Sequence, residues 1–257
     1  MSLRPSARFI GTASAMIVTS LNSIARFALL AGIFVAGAYL QSRGVLSGIL
    51  QHSSDVLYLL RGHLFLAAVS GALAIAVGVP LGILVTRQRF EAWANVATQF
   101  VGLGSTIPTL AILALAMSVL GIGAPAAIVG LFALTLLPIV LNTIAGLRTV
   151  PLHLIEAARG MGMTPAQILT RVELPNALFV ILAGIRTALA INVGTVPLAF
   201  LIGGGGLGEL IFTGIDLMEP TMLLAGAIPT ALLAVLIDFA VGQCQFWLVP
   251  RGVNPLR

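Results

Sequence analysis

The sequence predicts an all-α polytopic membrane protein, and three observations carry that prediction. Of its 257 residues 59% are hydrophobic and only 8% charged, against about 25% charged in a soluble domain. The apolar residues fall in continuous runs, several as long as the roughly 20 residues of helix that cross a bilayer. The short alternating segments of a membrane β-barrel are not the pattern here. The runs give about six transmembrane helices.

Taken in order, Arg4 and Arg8 stand in a short polar head. Phe9 to Ala25 is moderately apolar and interrupted by Ser and Thr. It reads as an interfacial helix, with a signal segment as the other reading. A first span follows at about Ile24 to Leu40. From Gln41 to Gly62 the chain is mixed, and Arg43, His52, Ser53, Ser54, Asp55 and Arg61 keep it from forming a span. The second span is Leu64 to Val85, ended by Thr86-Arg87-Gln88-Arg89. Phe90 to Phe100 mixes apolar and polar residues at helical spacing. The third span, about Val101 to Leu120, is broken by Pro108, and Gly121 to Pro125 is a turn by its Gly and Pro content. The fourth span is about Ala126 to Leu147. A polar segment, Arg148 to Asn176, precedes the fifth span at about Ala177 to Leu201. The glycine run Gly203 to Gly206 follows, then the sixth span at about Met222 to Gln243. The expected organisation is an amino-terminal segment 1–61 with one span and an outer linker, a transmembrane domain 62–243 containing the polar segment 148–176, and a tail 244–257.

The formal net charge is +5, and all thirteen basic residues are arginine. A chain without lysine cannot hold the phosphate loop that needs one to reach the β- and γ-phosphates. If ATP is used, another polypeptide binds it. With six spans and an inside amino terminus, Arg4, Arg8, Arg87, Arg89, Arg148, Arg159, Arg171, Arg251 and Arg257 lie inside. Only Arg43 and Arg61 lie outside. That nine-to-two bias places the polar segment in the cytoplasm, with both termini. The arginines are dispersed around the spans, so they read as topology signals rather than as a nucleic-acid surface.

The polar segment carries strong local signals. Pro151 suits the first turn of a helix, Leu152 to Met161 reads as helical, and Gly160 or Gly162 can end it. Thr164-Pro165-Ala166-Gln167 is a second start: Thr164 as N-cap, Pro165 at the first helical position, and Gln167 where a capping box wants Glu or Gln. This second helix is expected to stop before Pro175. A short helix, a glycine turn and another short helix are more structure than a plain connector needs, although a connector is the other reading.

The segment resembles the EAA loop of importer permeases driven by ATP-binding-cassette subunits. The family pattern is Glu-Ala-Ala, three residues, Gly, nine residues, Ile, one residue, Leu-Pro. Here Glu156-Ala157-Ala158, Gly162, Val172 in the Ile place, and Leu174-Pro175 meet it with one conservative departure. Val79-Pro80-Leu81-Gly82, Thr106 to Ala111, Ala183-Gly184-Ile185-Arg186-Thr187 and Gly203 to Gly208 are similar to permeases of osmoprotectant importers, over about residues 62–243. The resemblance implies a pore-forming permease for glycine betaine, choline, carnitine or a related solute in a bacterial inner membrane. Glu156, Ala157, Ala158, Gly160, Gly162, Thr164, Pro165, Val172, Leu174 and Pro175 would then contact an ATPase dimer that holds ATP and Mg. Further implied partners are an identical or related permease and a periplasmic or lipid-anchored solute-binding protein. A permease for another solute such as an amino acid, or an ion-coupled secondary transporter, stays as the alternative.

Other residues are weaker signals. Gly203-x-Gly205-x-x-Gly208 fits a dinucleotide fingerprint by letter, but no βαβ unit surrounds it; with Gly204 and Gly206 it reads as a flexible or close-packed outer loop. Arg186 lies inside the fifth span, where a charge is costly. It either pairs on the pathway, with Asp238 as one candidate partner, or snorkels to the interface. Asn192 and Thr195 could line the pathway or simply pack, and Pro197 should loosen the helix beside them. An aromatic cage for a quaternary ammonium ion has little to draw on, since Trp93 and Trp247 both lie near membrane edges. His52, His63 and His153 show no metal spacing, and no catalytic arrangement stands out. The chain is expected to be non-catalytic, with no cofactor of its own.

Overall fold

A computed structural model describes residues 45–87 and 107–253, with a few helical positions between 31 and 41. The expected first span, the helix before it, Arg89, Trp93, the segment 90–100 and Thr106 fall wholly or largely outside the described residues. The chain divides into two compact units, Met1–Gln51 and His52–Arg257. Helix α1, Val45–Gln51, belongs to the first.

The second unit holds α2 (Ser53–Val85), α3 (Thr109–Leu120), α4 (Ala124–Arg148), α5 (Leu152–Gly160), α6 (Pro165–Ile168), α7 (Leu174–Thr195), α8 (Gly208–Asp216) and α9 (Pro220–Leu248). A π turn, Leu169–Glu173, joins α6 to α7, and a 3₁₀ stretch, Val196–Ile202, continues α7. Among the described residues, four helical segments are long and apolar enough to cross a membrane: Ser53–Val85, Ala124–Arg148, Pro165–Ile202 and Pro220–Leu248. Helix α3 is apolar but shorter.

α2 and α4 run parallel, with Gly78 facing Ile139 and Gly82 facing Thr143. α7 runs antiparallel to both. Asn192 meets Ser70, and Gly184 lies so close to Asn142 that a Cβ there would collide with it. α9 is antiparallel to α7, with Arg186 on Asp238 and Gln245 on Phe179. Lipid tails are as apolar as side chains, so burial alone does not drive such contacts; small residues allow the close approach that does. Gly71, Gly78 and Gly82 share one face of α2 by their spacing and meet α7 and α4 there. Two buried clusters stack along the bundle. One gathers Leu66, Leu113, Leu131 and Val196; the other gathers Ala74, Ile139, Ile181 and Ile185.

These pairings set the ends apart. Arg87, Arg148, Arg159, Arg171 and Arg251 cluster toward the end that carries α5 and α6. Asp55, Glu209, Asp216 and Glu219 fall at the other end, where His52 lies 3.8 Å from Glu219.

The structure differs from the sequence expectations in four places. α2 starts at Ser53 rather than Leu64, because Asp55 and Arg61 lie on its exposed side while Leu59, His63 and Leu66 turn inward; its compact unit accordingly begins at His52. The helix entering Pro175 does not stop there. The Leu174 N–H bonds back five residues to the Leu169 carbonyl, and this wider turn admits the proline without a break. α8 occupies a stretch between the glycine run and the sixth span to which the sequence assigns no element. α9 runs on to Leu248 past Gln243, held by Gln245, whose Nε2 donates to the Phe179 carbonyl at 2.9 Å. The break at Pro108 is seen as the N-cap of α3, and the loosening at Pro197 is the 3₁₀ stretch.

Candidate functional site: the two-helix segment between the spans

α5 begins after Pro151, which sits in extended conformation at the N-cap. Its far end is closed by a Schellman motif. The Met163 N–H bonds to the Ala158 carbonyl at 3.1 Å and the Gly162 N–H to the Arg159 carbonyl at 2.9 Å. This geometry puts Gly162 at φ +77, a left-handed conformation that glycine adopts without the Cβ penalty.

α6 opens on a full capping box. The Thr164 Oγ1 accepts from the Gln167 N–H at 3.3 Å, and the Gln167 Oε1 accepts from the Thr164 N–H at 2.8 Å. Each side chain satisfies a donor the helix start leaves orphaned. Ala158 and Ile168 are buried, while Glu156, Ala157, Gly160, Gly162, Thr164 and Pro165 are exposed and Val172, Leu174 and Pro175 half-buried. Leu152 and Met161 stand 64% and 69% exposed on this polar segment. Large apolar side chains left to water at a rigid turn form a surface suited to covering by another protein.

Glu173, in the π turn, meets Arg87 at the end of α2, with Nη1 donating to Oε2 at 2.7 Å. Nothing in the local sequence pattern couples these two positions.

Within the bundle, Arg186 grips Asp238 with two parallel hydrogen bonds, the one from Nε to Oδ1 at 2.7 Å. About two fifths of each side chain remains exposed. Asn192 is buried between α2 and α7. Its Nδ2 donates to the Ala67 carbonyl at 3.1 Å and to the Ser70 Oγ at 3.0 Å. The Thr195 hydroxyl donates to its own helix at Ile191 and borders a cleft with Leu198, Ile211, Phe212 and Ala227. These three residues therefore do not converge on one site.

The glycine loop is close-packed. Gly203, Gly205 and Gly206 have positive φ. Gly203 and Gly204 donate back to the Phe200 and Ala199 carbonyls, and a Cβ on Gly208 would collide with the Pro197 carbonyl. His63, fully buried, lies against Gly206 and its Nε2 is 3.1 Å from the Val193 carbonyl. The histidine spacing hid this role. The signal was Pro197, which lacks the N–H that would meet a carbonyl four residues back.

Several helices long and apolar enough to cross a membrane, with one capped and exposed helix pair between two of them, describe a multi-pass membrane protein. Residues 78–251 match the family described as binding-protein-dependent transport system inner membrane component. The chain is 52% identical over 199 residues to the osmoprotectant import permease protein OsmY of Salmonella typhimurium, covering 77% of this chain and 84% of that protein. It is 44% identical over 195 residues to the carnitine transport permease protein OpuCB of Listeria monocytogenes, covering 76% and 88%. To the choline transport system permease protein OpuBB of Bacillus subtilis it is 40% identical over 206 residues, covering 80% and 94%. Among solved structures, the MetNI methionine ABC transporter in an inward facing conformation matches with TM-score 0.69 and 27% identity, covering 76% of this chain and 96% of that one. The chain belongs to the family of binding-protein-dependent transport system inner membrane components.

Proposed function

We propose that this chain forms the membrane pathway of an ATP-driven importer for osmoprotectants such as glycine betaine, choline or carnitine. Its power comes from ATPase subunits that hold ATP and Mg and dock on the segment 148–176. The observation that carries this is the segment itself: a Schellman turn and a capping box fix a pair of short helices on which Leu152 and Met161 stand exposed. The identity to osmoprotectant, carnitine and choline permeases is higher than to the methionine transporter, which favours a quaternary ammonium solute over an amino acid. The arginine-rich end faces the cytoplasm, and the opposite end meets a solute-binding protein. A second, identical or related permease completes the pathway. The exposed parts of Arg186 and Asp238 face that copy or the water between the two, because an intramembrane charge is not left to lipid; Thr195 and the Gly203–Gly208 loop lie nearer the outer side.

The test is uptake by the complete transporter. Gly162→Asp should stay in the membrane yet lose the ATPase subunits and transport, whereas Gly162→Asn, which tolerates the left-handed turn as Asp does but adds no charge, should keep more of both. Normal uptake by Gly162→Asp would sink the docking reading. Competition among labelled glycine betaine, choline, carnitine and methionine identifies the solute class.

A further inference from the structure

Residues 148–176 are joined by the chain to α4 and to α7, but not to α2. Among the described residues, one ion pair joins them to α2 directly, beside an apolar cluster that Ile83 of α2 shares with Ile155, Leu169 and Leu174. The Arg87 guanidinium is held on three sides. Nε donates to the Ile83 carbonyl at 3.2 Å, Nη2 to the Thr86 Oγ1 at 3.0 Å, and Nη1 to the Glu173 Oε2 at 2.7 Å. Thr86 is fixed in turn by donating to the Ile83 carbonyl at 2.7 Å. The Glu173 side chain is only 13% exposed. It stands in the π turn, at the position the Glu-Ala-Ala pattern leaves open, so no docking contact is asked of it. A guanidinium clamped to its own helix end is a rigid lever on that helix, unlike a swinging surface arginine.

α2 has 33 residues, so it spans about 50 Å. Its arginine end touches the docking segment. Ten residues in from its other end, which is Ser53, His63 holds the Val193 carbonyl and backs Gly206 of the outer glycine loop. One continuous helix therefore links the two places that must move together.

We propose that Arg87 and Glu173 are positioning residues that make α2 a transmission rod, delivering movement of the docking segment to the glycine loop at the far side. This rests on the docking reading above. α4 and α7 carry the segment covalently; α2 packs along α4 at Gly78 and Gly82, and this ion pair ties its end to the segment itself.

The test uses the full transporter, with its ATPase subunits and binding protein, in proteoliposomes. The variants are Arg87→Glu, Glu173→Arg, the double reversal, and the milder Arg87→Gln and Glu173→Gln in case a reversal fails to accumulate. Three quantities are read: ATPase subunit retained on purification, ATP hydrolysed, and solute moved per ATP. Each single variant should keep its ATPase subunits and hydrolysis while solute per ATP falls about tenfold, a typical coupling between sites. The double reversal should recover most of that ratio, as a direct pair requires. An unchanged ratio in the single variants overturns the proposal. So does a parallel loss of hydrolysis and transport that the double reversal leaves unrepaired, since that marks a merely structural staple. Failure of the docking reading shows itself separately, as full subunit retention and uptake in Gly162→Asp.

Discussion

His63 supplies the hydrogen bond that Pro197 cannot. Pro197 has no N–H for the Val193 carbonyl four residues earlier, and the His63 Nε2 lies 3.1 Å from that oxygen. A carbonyl only accepts, so the proton is on Nε2, while Nδ1 has no partner among the described residues. Removing one partner of a buried hydrogen bond costs about 1–3 kcal/mol. His63→Leu should lower the thermal stability of the purified protein by that order. Pro197→Ala restores a backbone donor, so His63→Leu with Pro197→Ala should cost less than the sum of the two single changes. Strict additivity in that cycle would contradict the account.

Asn192 should act on stability rather than on solute affinity. Its amide bridges α7 to Ala67 and Ser70 of α2 and is 3% exposed. Hydrogen bonds between membrane helices average about 0.6 kcal/mol and reach about 1.7. Asn192→Leu should destabilise within that range and leave the KM of uptake unchanged. A large rise in KM with unaltered melting would instead put the side chain in contact with solute.

Arg186 and Asp238 should be expendable together but not apart. Arg186→Ala leaves a carboxylate, and Asp238→Ala a guanidinium, without its partner in a membrane segment. Each single variant should accumulate severalfold less in the membrane by immunoblot. The double alanine variant should recover most of the lost amount. A double variant no better than the singles would mean that the two groups act through other partners.

Gly184 and Gly194 lie on one helix and predict opposite outcomes. A Cβ at Gly184 would strike Asn142, whereas nothing lies within 4 Å of one at Gly194. Gly184→Val should lose folded protein, by the roughly 1–3 kcal/mol of overpacking or more. Gly194→Ala should fold as well or better, by about 0.5–1 kcal/mol. If Gly194→Ala also loses transport at full membrane amount, that open face is where the second copy or the solute passes.

The segment 148–176 was readable because its signals are local. Thr164 and Gln167 are three residues apart, and Gly162 lies just beyond the helix it ends, so propensity and capping place both turns. The Arg87–Glu173 and His63–Val193 contacts join residues 86 and 130 positions apart, and no short-range pattern encodes them. α2 was drawn short because hydropathy averages over all faces, and its first turns carry charge on one side only. α8 went unread because nine residues between a glycine run and Pro220 resemble a connection, although Glu209 in its first turn and the apolar Leu210-Ile211-Phe212 that follow were usable cues. Pro175 misled because the bias against helical dihedrals before a proline is a preference, and Leu174 keeps them here, at φ −60 and ψ −46.

That wider turn sets a phase angle. Each residue of an α-helix rotates the chain by about 100° and advances it about 1.5 Å. Leu169–Glu173 closes on an i−5 bond, so this stretch holds one residue more than a regular α turn between α6 and α7. Deleting one residue there would restore a regular α turn and leave the face of α6 nearly in place, whereas deleting one from the regular part of α7 would rotate it by about 100°. The orientation in which the exposed face of α6 is presented is thus chosen in discrete steps, by counting residues, and not by continuous bending of the helix.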